Sequence, residues 1–147
     1  MIPEVVTIGL GYIGLPTSAL IASVGTKVLG VDIKPEVVNI INKGKIHIIE
    51  PDLEEIVSKT VSKGLFKAST KAVEAGVYLI VVPTPFKENY EPDISHIEAA
   101  TREIIPLLKK GDLYIIESTS PIGTTEKMQK LIFASRPDLI GDFHIAY

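Results

Sequence analysis

The sequence contains no cysteine, and this absence excludes several kinds of chemistry. Without a thiol the chain cannot form a disulfide, a zinc–thiolate centre or a cysteine nucleophile. The three histidines, His47, His96 and His144, are too far apart to form a local metal-binding motif. No Gly-x-x-x-x-Gly-Lys-Ser/Thr loop is present, which argues against a P-loop nucleotide hydrolase. We therefore predict that the chain binds no metal.

Concentrated charge is also missing. The 147 residues include 15 basic and 18 acidic side chains, with no run of five like charges. This argues against nucleic acid or a membrane as a partner and favours small molecules or other proteins. The uncharged stretch of residues 5–26 contains four glycines and a proline and follows no basic residue, so it fits neither a spanning helix nor a signal peptide. We expect a cytoplasmic protein.

The hydrophobic pattern alternates between two periods. With 46% apolar and 22% charged residues, the composition is that of an ordinary globular chain, and the length suits one domain. Short β-branched runs predict strands, and longer amphipathic stretches between glycines and prolines predict helices. The predicted strands are residues 5–8, 28–31, 66–68, 77–82, 113–117 and 144–147. The predicted helices are residues 13–24, 35–42, 53–63, 95–108 and 124–134, with a capping box of Ser95 and Glu98.

This order predicts an α/β fold of three layers, in which a doubly wound parallel sheet of Rossmann type lies between helices. The strongest local motif is the glycine sequence after the first strand, formed by Gly9, Gly11 and Gly14. In a dinucleotide-binding turn, the first glycine permits the tight bend and the second lets a pyrophosphate approach the backbone. The third lets the helix pack closely on the strand, and the helix N-terminus offers free N–H groups to the phosphates.

An acidic residue completes the motif. Asp32 ends the second predicted strand, where a carboxylate can accept hydrogen bonds from both ribose hydroxyls of an adenosine. A carboxylate would repel the 2′-phosphate of NADP, so the sequence favours NAD as the cofactor. Lys34 could weaken that preference, although a lysine before a proline is more often a solvated surface charge.

Further candidates follow the fourth and fifth strands, because ligands of open α/β sheets lie across the carboxyl ends of the strands. Thr84 lies between two prolines, and residues 117–120 (Glu-Ser-Thr-Ser) include Thr119. Thr84 is also consistent with a rigid loop start, and residues 117–120 are as consistent with polar side chains that satisfy the next turn and helix cap. Position alone does not separate these interpretations.

Six segments together resemble one known family. They are residues 9–16 (GLGYIGLP), 31–33 (VDI), 47–53 (HIIEPDL), 82–86 (VPTPF), 92–100 (PDISHIEAA) and 117–126 (ESTSPIGTTE). In them the chain resembles the N-terminal NAD-binding domain of the nucleotide-sugar dehydrogenases, which oxidise a UDP-sugar to its uronic acid. The UDP-N-acetyl-D-mannosamine branch is the most similar. The resemblance covers essentially all 147 residues.

The resemblance implies cofactor contacts at Tyr12, Ile13, Asp32, Thr84 and Thr119. It also implies that two NAD oxidise the sugar C6 alcohol through an aldehyde stage to a carboxylate, with a cysteine holding the intermediate. In the family, that cysteine, the UDP-sugar site and the helix that forms a homo-oligomer all follow the first domain. Residues 1–147 would then be the NAD-binding domain alone, without the central and C-terminal domains. We expect it to be inactive by itself, as a truncated chain or half of a split enzyme.

Two alternatives remain at this point. The chain could be the NAD-binding domain of a β-hydroxyacid or 6-phosphogluconate-type dehydrogenase, whose first domains share this fold. The segments at residues 82–86 and 117–119 speak against that alternative. The chain could also be a free-standing NAD-binding module that pairs with another polypeptide. A purely structural protein is the least expected class, because the three glycines of the motif and Asp32 would have no function in it.

Overall fold

A computed structural model describes residues 1–88 and 90–147 of the chain. These residues form six strands and five α-helices in a largely alternating order. The strands are Val5–Ile8 (β1), Val28–Val31 (β2), Phe66–Ser69 (β3), Val77–Ile80 (β4), Leu113–Ile116 (β5) and His144–Ala146 (β6). The helices are Gly14–Ser23 (α1), Pro35–Asn42 (α2), Leu53–Ser62 (α3), Ser95–Ile104 (α4) and Thr124–Ser135 (α5).

The strands form one parallel sheet in the order β3-β2-β1-β4-β5-β6. From β1 the chain moves outward through β2 to β3, and from β4 it moves outward in the opposite direction through β5 to β6. The strand order therefore reverses between β1 and β4, and the carboxyl ends of these strands form the crevice where ligands bind in such sheets. The predicted α/β doubly wound fold is confirmed.

Two hydrophobic clusters cover the two faces of the sheet. Alternate side chains of β1 take part in each: Val6 and Ile8 pack in the cluster that includes residues of α4 and α5, while Val5 packs in the cluster that includes residues of α1, α2 and α3. All four residues of β1 are buried, as expected for a central parallel strand. The two clusters thus fix β1, whose carboxyl end leads into the glycine loop.

Two predicted details at α4 are wrong. The helix ends at Ile104 rather than Leu108, and a single 3-10 turn, Ile105–Leu107, follows. Pro106 accounts for this, because its ring removes a backbone N–H and crowds the preceding turn. The predicted capping box is not formed, since Asp93 Oδ1 accepts the backbone N–H of Ser95 at 2.9 Å instead. That hydrogen bond holds the pKa of the Asp93 carboxyl below its usual value.

No helix in residues 1–88 and 90–147 is long and apolar enough to cross a membrane. The same part of the chain brings together no group of three side chains that could ligate a metal ion.

Candidate dinucleotide-binding site

The glycine loop joins β1 to α1, and its three glycines have three different surroundings. Gly9 has a φ of +101°, and a Cβ built on it would lie 2.4 Å from the carbonyl oxygen of Val81. A Cβ built on Gly14 would lie 1.9 Å from the carbonyl oxygen of Gly9. A Cβ on Gly11 would meet no atom within 4 Å. Gly9 and Gly14 are thus required by the fold, whereas Gly11 borders open space that a ligand can enter.

Backbone donors are available beside that space. The N–H groups of Gly11, Tyr12 and Ile13 have no acceptor among the residues that the structure describes. No side chain caps the N-terminus of α1. The side chains of Tyr12 and Ile13 are 64% and 58% exposed. Free N–H groups at the positive end of a helix dipole suit an anionic group such as a pyrophosphate.

Asp32 lies next to this loop and is held in place by two backbone groups. Its Oδ2 accepts the N–H of Leu10 at 3.2 Å, and its Oδ1 accepts the N–H of Lys34 at 3.0 Å. Each carboxylate oxygen has further acceptor capacity after one hydrogen bond. The carboxylate is therefore oriented and still able to accept hydrogen bonds from a neighbouring diol, as the sequence-based prediction requires.

The ends of β4 and β5 bring two predicted residues together. The hydroxyls of Thr84 and Thr119 are 3.2 Å apart although 35 positions separate them in the chain. Ser118, by contrast, is buried, and its hydroxyl donates to the carbonyl of Val82 at 2.7 Å. Both interpretations of residues 117–120 therefore hold, each for a different residue. Ser118 stabilises the turn, whereas Thr119 faces Thr84 at the carboxyl ends of β4 and β5.

Sequence reasoning did not single out Thr17 of α1. Its hydroxyl donates to Oε1 of Glu117 at 3.2 Å. This contact links the first turns of α1 to the end of β5 across 100 positions of sequence. A threonine three residues after the last glycine of the motif carries no local signal of such a contact, because only the folded sheet brings the two elements together.

Comparison with known proteins shows the class to which the chain belongs. Residues 3–147 match the NAD-binding domain of the UDP-glucose/GDP-mannose dehydrogenase family. The chain is therefore a member of this family, and the predicted resemblance and its cofactor, NAD, are confirmed.

Individual relatives place it near the acetylated amino-sugar enzymes. The chain is 53% identical to UDP-N-acetyl-D-mannosamine dehydrogenase of Escherichia coli K12 over 95% of its own length and 35% of that protein. It is also 53% identical to NDP-N-acetyl-D-galactosaminuronic acid dehydrogenase of Ralstonia nicotianae, over 90% of its length and 31% of that protein. The chain thus spans about a third of the length of these relatives.

Solved structures agree with this placement. The UDP-D-ManNAc dehydrogenase of Pyrococcus horikoshii is 40% identical, with a TM-score of 0.91 over 96% of this chain and 35% of that one. The 3-hydroxyisobutyrate dehydrogenase of Mycobacterium tuberculosis is only 15% identical, with a TM-score of 0.62 over 99% of this chain and 39% of that one. The second likeness concerns the fold alone, so the β-hydroxyacid alternative gains no support from it, and the family match favours the nucleotide-sugar enzymes.

Proposed function

We propose that residues 1–147 form the NAD-binding part of an enzyme that oxidises the C6 alcohol of UDP-N-acetyl-D-mannosamine, or of a related UDP-sugar, to a carboxylate. The observation that carries this proposal is the open space at Gly11 beside free backbone N–H groups, with Asp32 oriented next to it. The equal identity to a mannosamine and a galactosaminuronic acid enzyme supports an N-acetylated UDP-sugar as the substrate class.

Each site residue has a distinct role in this proposal. Gly9, Gly11 and Gly14 shape the loop, and the N–H groups of Tyr12 and Ile13 bind the pyrophosphate. The Asp32 carboxylate binds the adenosine ribose and repels a 2′-phosphate, so NADP binds poorly. The hydroxyls of Thr84 and Thr119 lie on the opposite side of the loop and contact the other half of the cofactor.

The overall reaction needs two oxidations and one water. When bound, NAD accepts a hydride in each oxidation, so one alcohol, two NAD and one water give one carboxylate, two NADH and three protons. The intermediate aldehyde is held as a thiohemiacetal in this chemistry, and the chain contains no cysteine. The thiol and the sugar-binding groups must then come from outside residues 1–147, and these residues alone bind NAD without turning over the sugar.

Thermal melting and calorimetry with NAD and NADP test the proposal. A ligand at a hundredfold excess over its Kd stabilises by about 2.7 kcal/mol, which is a rise in Tm of roughly 5 to 11 °C for a domain of this size. We expect this rise with NAD and a much smaller one with NADP. Asp32→Ala should weaken NAD binding, and Glu103→Ala, which removes an exposed acid of α4, should not.

Three results would contradict the proposal. They are an equal response to NADP, unchanged NAD binding in Asp32→Ala, and the absence of binding by either cofactor. A separate measurement addresses turnover: the chain mixed with NAD and UDP-N-acetyl-D-mannosamine should form no NADH, and formation of NADH would disprove the assignment of the thiol to a different part of the enzyme.

A further inference from the structure

A carboxylate occupies the side of the glycine loop opposite to Asp32. Glu117 follows β5 directly, and its backbone N–H donates to the carbonyl of Ile80, at the end of β4, at 2.9 Å. Its side chain is exposed, and Oε1 accepts the hydroxyl of Thr17 in α1 at 3.2 Å. These two contacts place a negative charge between α1 and the ends of β4 and β5, close in sequence to Thr119.

This charge is not neutralised by the surrounding chain. Of the ion pairs formed within residues 1–88 and 90–147, none includes Glu117. Its partner Thr17 contributes an uncharged hydroxyl, which orients the carboxylate without cancelling it. An oriented carboxylate attracts a cation that approaches it and exerts no comparable attraction on a neutral group.

We propose that Glu117 makes the site prefer the oxidised cofactor to the reduced one. A dinucleotide that crosses the strand-order reversal with its adenosine half at Asp32 has its nicotinamide half on the side of β4 and β5, where Glu117 lies. The nicotinamide ring is positively charged when oxidised and neutral when reduced, so the carboxylate stabilises only the oxidised form. This inference rests on the proposed function, because it takes the ligand to be NAD.

The preference has a use in an enzyme that oxidises its substrate twice. Between the two oxidations the reduced cofactor must leave and an oxidised one must take its place. A site that binds NAD more tightly than NADH favours this exchange, because at equal concentrations of the two forms NAD then occupies the larger share of the sites. Glu117 is on this view a specificity-determining residue for the redox state of the cofactor, and it takes no part in the chemical step.

The test compares the Kd of NAD with the Kd of NADH by calorimetry on the 147-residue chain. In Glu117→Gln, which keeps the size of the side chain and an acceptor for Thr17, the ratio of the two Kd values should shift about threefold to fivefold towards NADH. Asp32→Asn is the matched control. Asp32→Asn should weaken the binding of NAD and of NADH by the same factor and leave the ratio of their Kd values unchanged, because the adenosine half is identical in the two forms.

A second variant separates the charge from the hydrogen bond. Thr17→Val removes the hydrogen bond and leaves the carboxylate, so it should retain more of the preference for NAD than Glu117→Gln does. High salt should reduce the preference of the unsubstituted chain, since an exposed charge is screened. The inference would be overturned, while the proposed function stands, by an unchanged ratio of the two Kd values in Glu117→Gln. It would also be overturned if Glu117→Gln and Thr17→Val lost the preference for NAD to the same extent. Failure of the chain to bind either NAD or NADH would instead overturn the proposed function itself.

Discussion

Gly14 approaches Gly9 so closely that a Cβ on Gly14 would lie 1.9 Å from the Gly9 carbonyl oxygen. No side chain fits there. The Gly9 oxygen belongs to the backbone and a Cβ is bonded directly to it, so neither atom could move aside without displacing α1 or β1. This single approach fixes the direction in which α1 leaves the sheet. It therefore also fixes where the free N–H groups at the start of α1 lie relative to Asp32.

A pair of glycine substitutions should separate folding from binding. Gly14→Ala should lower the free energy of unfolding by about 3 kcal/mol, because the steric clash exceeds the gain of about 1 kcal/mol in helix propensity. This corresponds to a fall in Tm of about 10 °C. Gly11→Ala should leave the Tm of the unliganded chain unchanged or raise it slightly, since its Cβ enters open space. It should nevertheless weaken NAD binding, because that space is where the cofactor approaches.

Melting curves of both variants with and without NAD measure these effects. Because Gly11→Ala is the same chemical change three residues away, it serves as the control for Gly14→Ala. Normal NAD binding by a well-folded Gly11→Ala variant would show that the cofactor does not approach the loop at this position.

The order and type of the elements could be predicted from the sequence, because strands and helices differ in periodicity and a glycine or proline follows the end of each helix within two residues. Exact helix ends could not. Asp93 and Ser95 are both good capping residues and lie two positions apart, so the position at which α4 begins decides which of them can accept an N–H of its first turn. The folded chain places Ser95 inside the helix, so Asp93 accepts its N–H and the capping box does not form.

The residues of the site were predictable only in part, because some of them are brought together by packing and not by a local motif. The glycine loop and Asp32 form a motif of fixed spacing, and the rule for ligand sites in open α/β sheets identifies Thr84 and Thr119. The contact between Thr17 and Glu117 follows no such rule. It depends on how far the first turns of α1 lean over the end of β5, which is a consequence of packing and not of any local sequence pattern.

The pair of hydroxyls at Thr84 and Thr119 should affect the cofactor more than the fold. Thr119→Val removes one hydroxyl at nearly constant shape, and a lost hydrogen bond of about 1 kcal/mol weakens NAD binding about fivefold. The Tm of the unliganded chain should change little, because the hydroxyl pair is exposed. Thr119→Ser keeps the hydroxyl and should bind nearly normally. Equal affinity of all three chains for NAD in calorimetry would remove Thr119 from the site.

Tyr114 should ionise only in strongly alkaline solution. Its ring is fully buried in β5 and its hydroxyl lies 2.7 Å from that of Thr101 in α4. Burial disfavours the phenolate and raises the pKa of Tyr114 to about 12. Ultraviolet absorbance titration should show this ionisation in the unsubstituted chain and lose it in Tyr114→Phe. Ionisation of Tyr114 near the ordinary tyrosine pKa of 10.0 would contradict this assignment.

Two carboxyl groups should make opposite contributions to the pH dependence of stability. Burial raises the pKa of Asp112, even though its Oδ2 accepts the backbone N–H of Lys109 at 2.7 Å. A raised pKa means that the folded state disfavours the ionised form, so this contribution to stability is complete below the unfolded pKa of about 3.8 and is lost as pH rises through the folded value. Asp112→Asn, which keeps an acceptor for Lys109, should therefore stabilise the chain at pH 7 by less than about 1 kcal/mol.

Asp138 provides the matched control of opposite sign. Its hydrogen bonds with Arg136 lower its pKa, so its contribution to stability is present above the unfolded value and is lost as the solution becomes more acidic. Asp138→Asn should then destabilise the chain at pH 7, whereas Asp112→Asn should stabilise it. Both differences should shrink as the solution becomes more acidic, because the carboxyl groups of the unsubstituted chain become neutral there. Thermal melts of the three chains between pH 3 and pH 8 measure this, and shifts of the same sign at pH 7 would show that burial does not control Asp112.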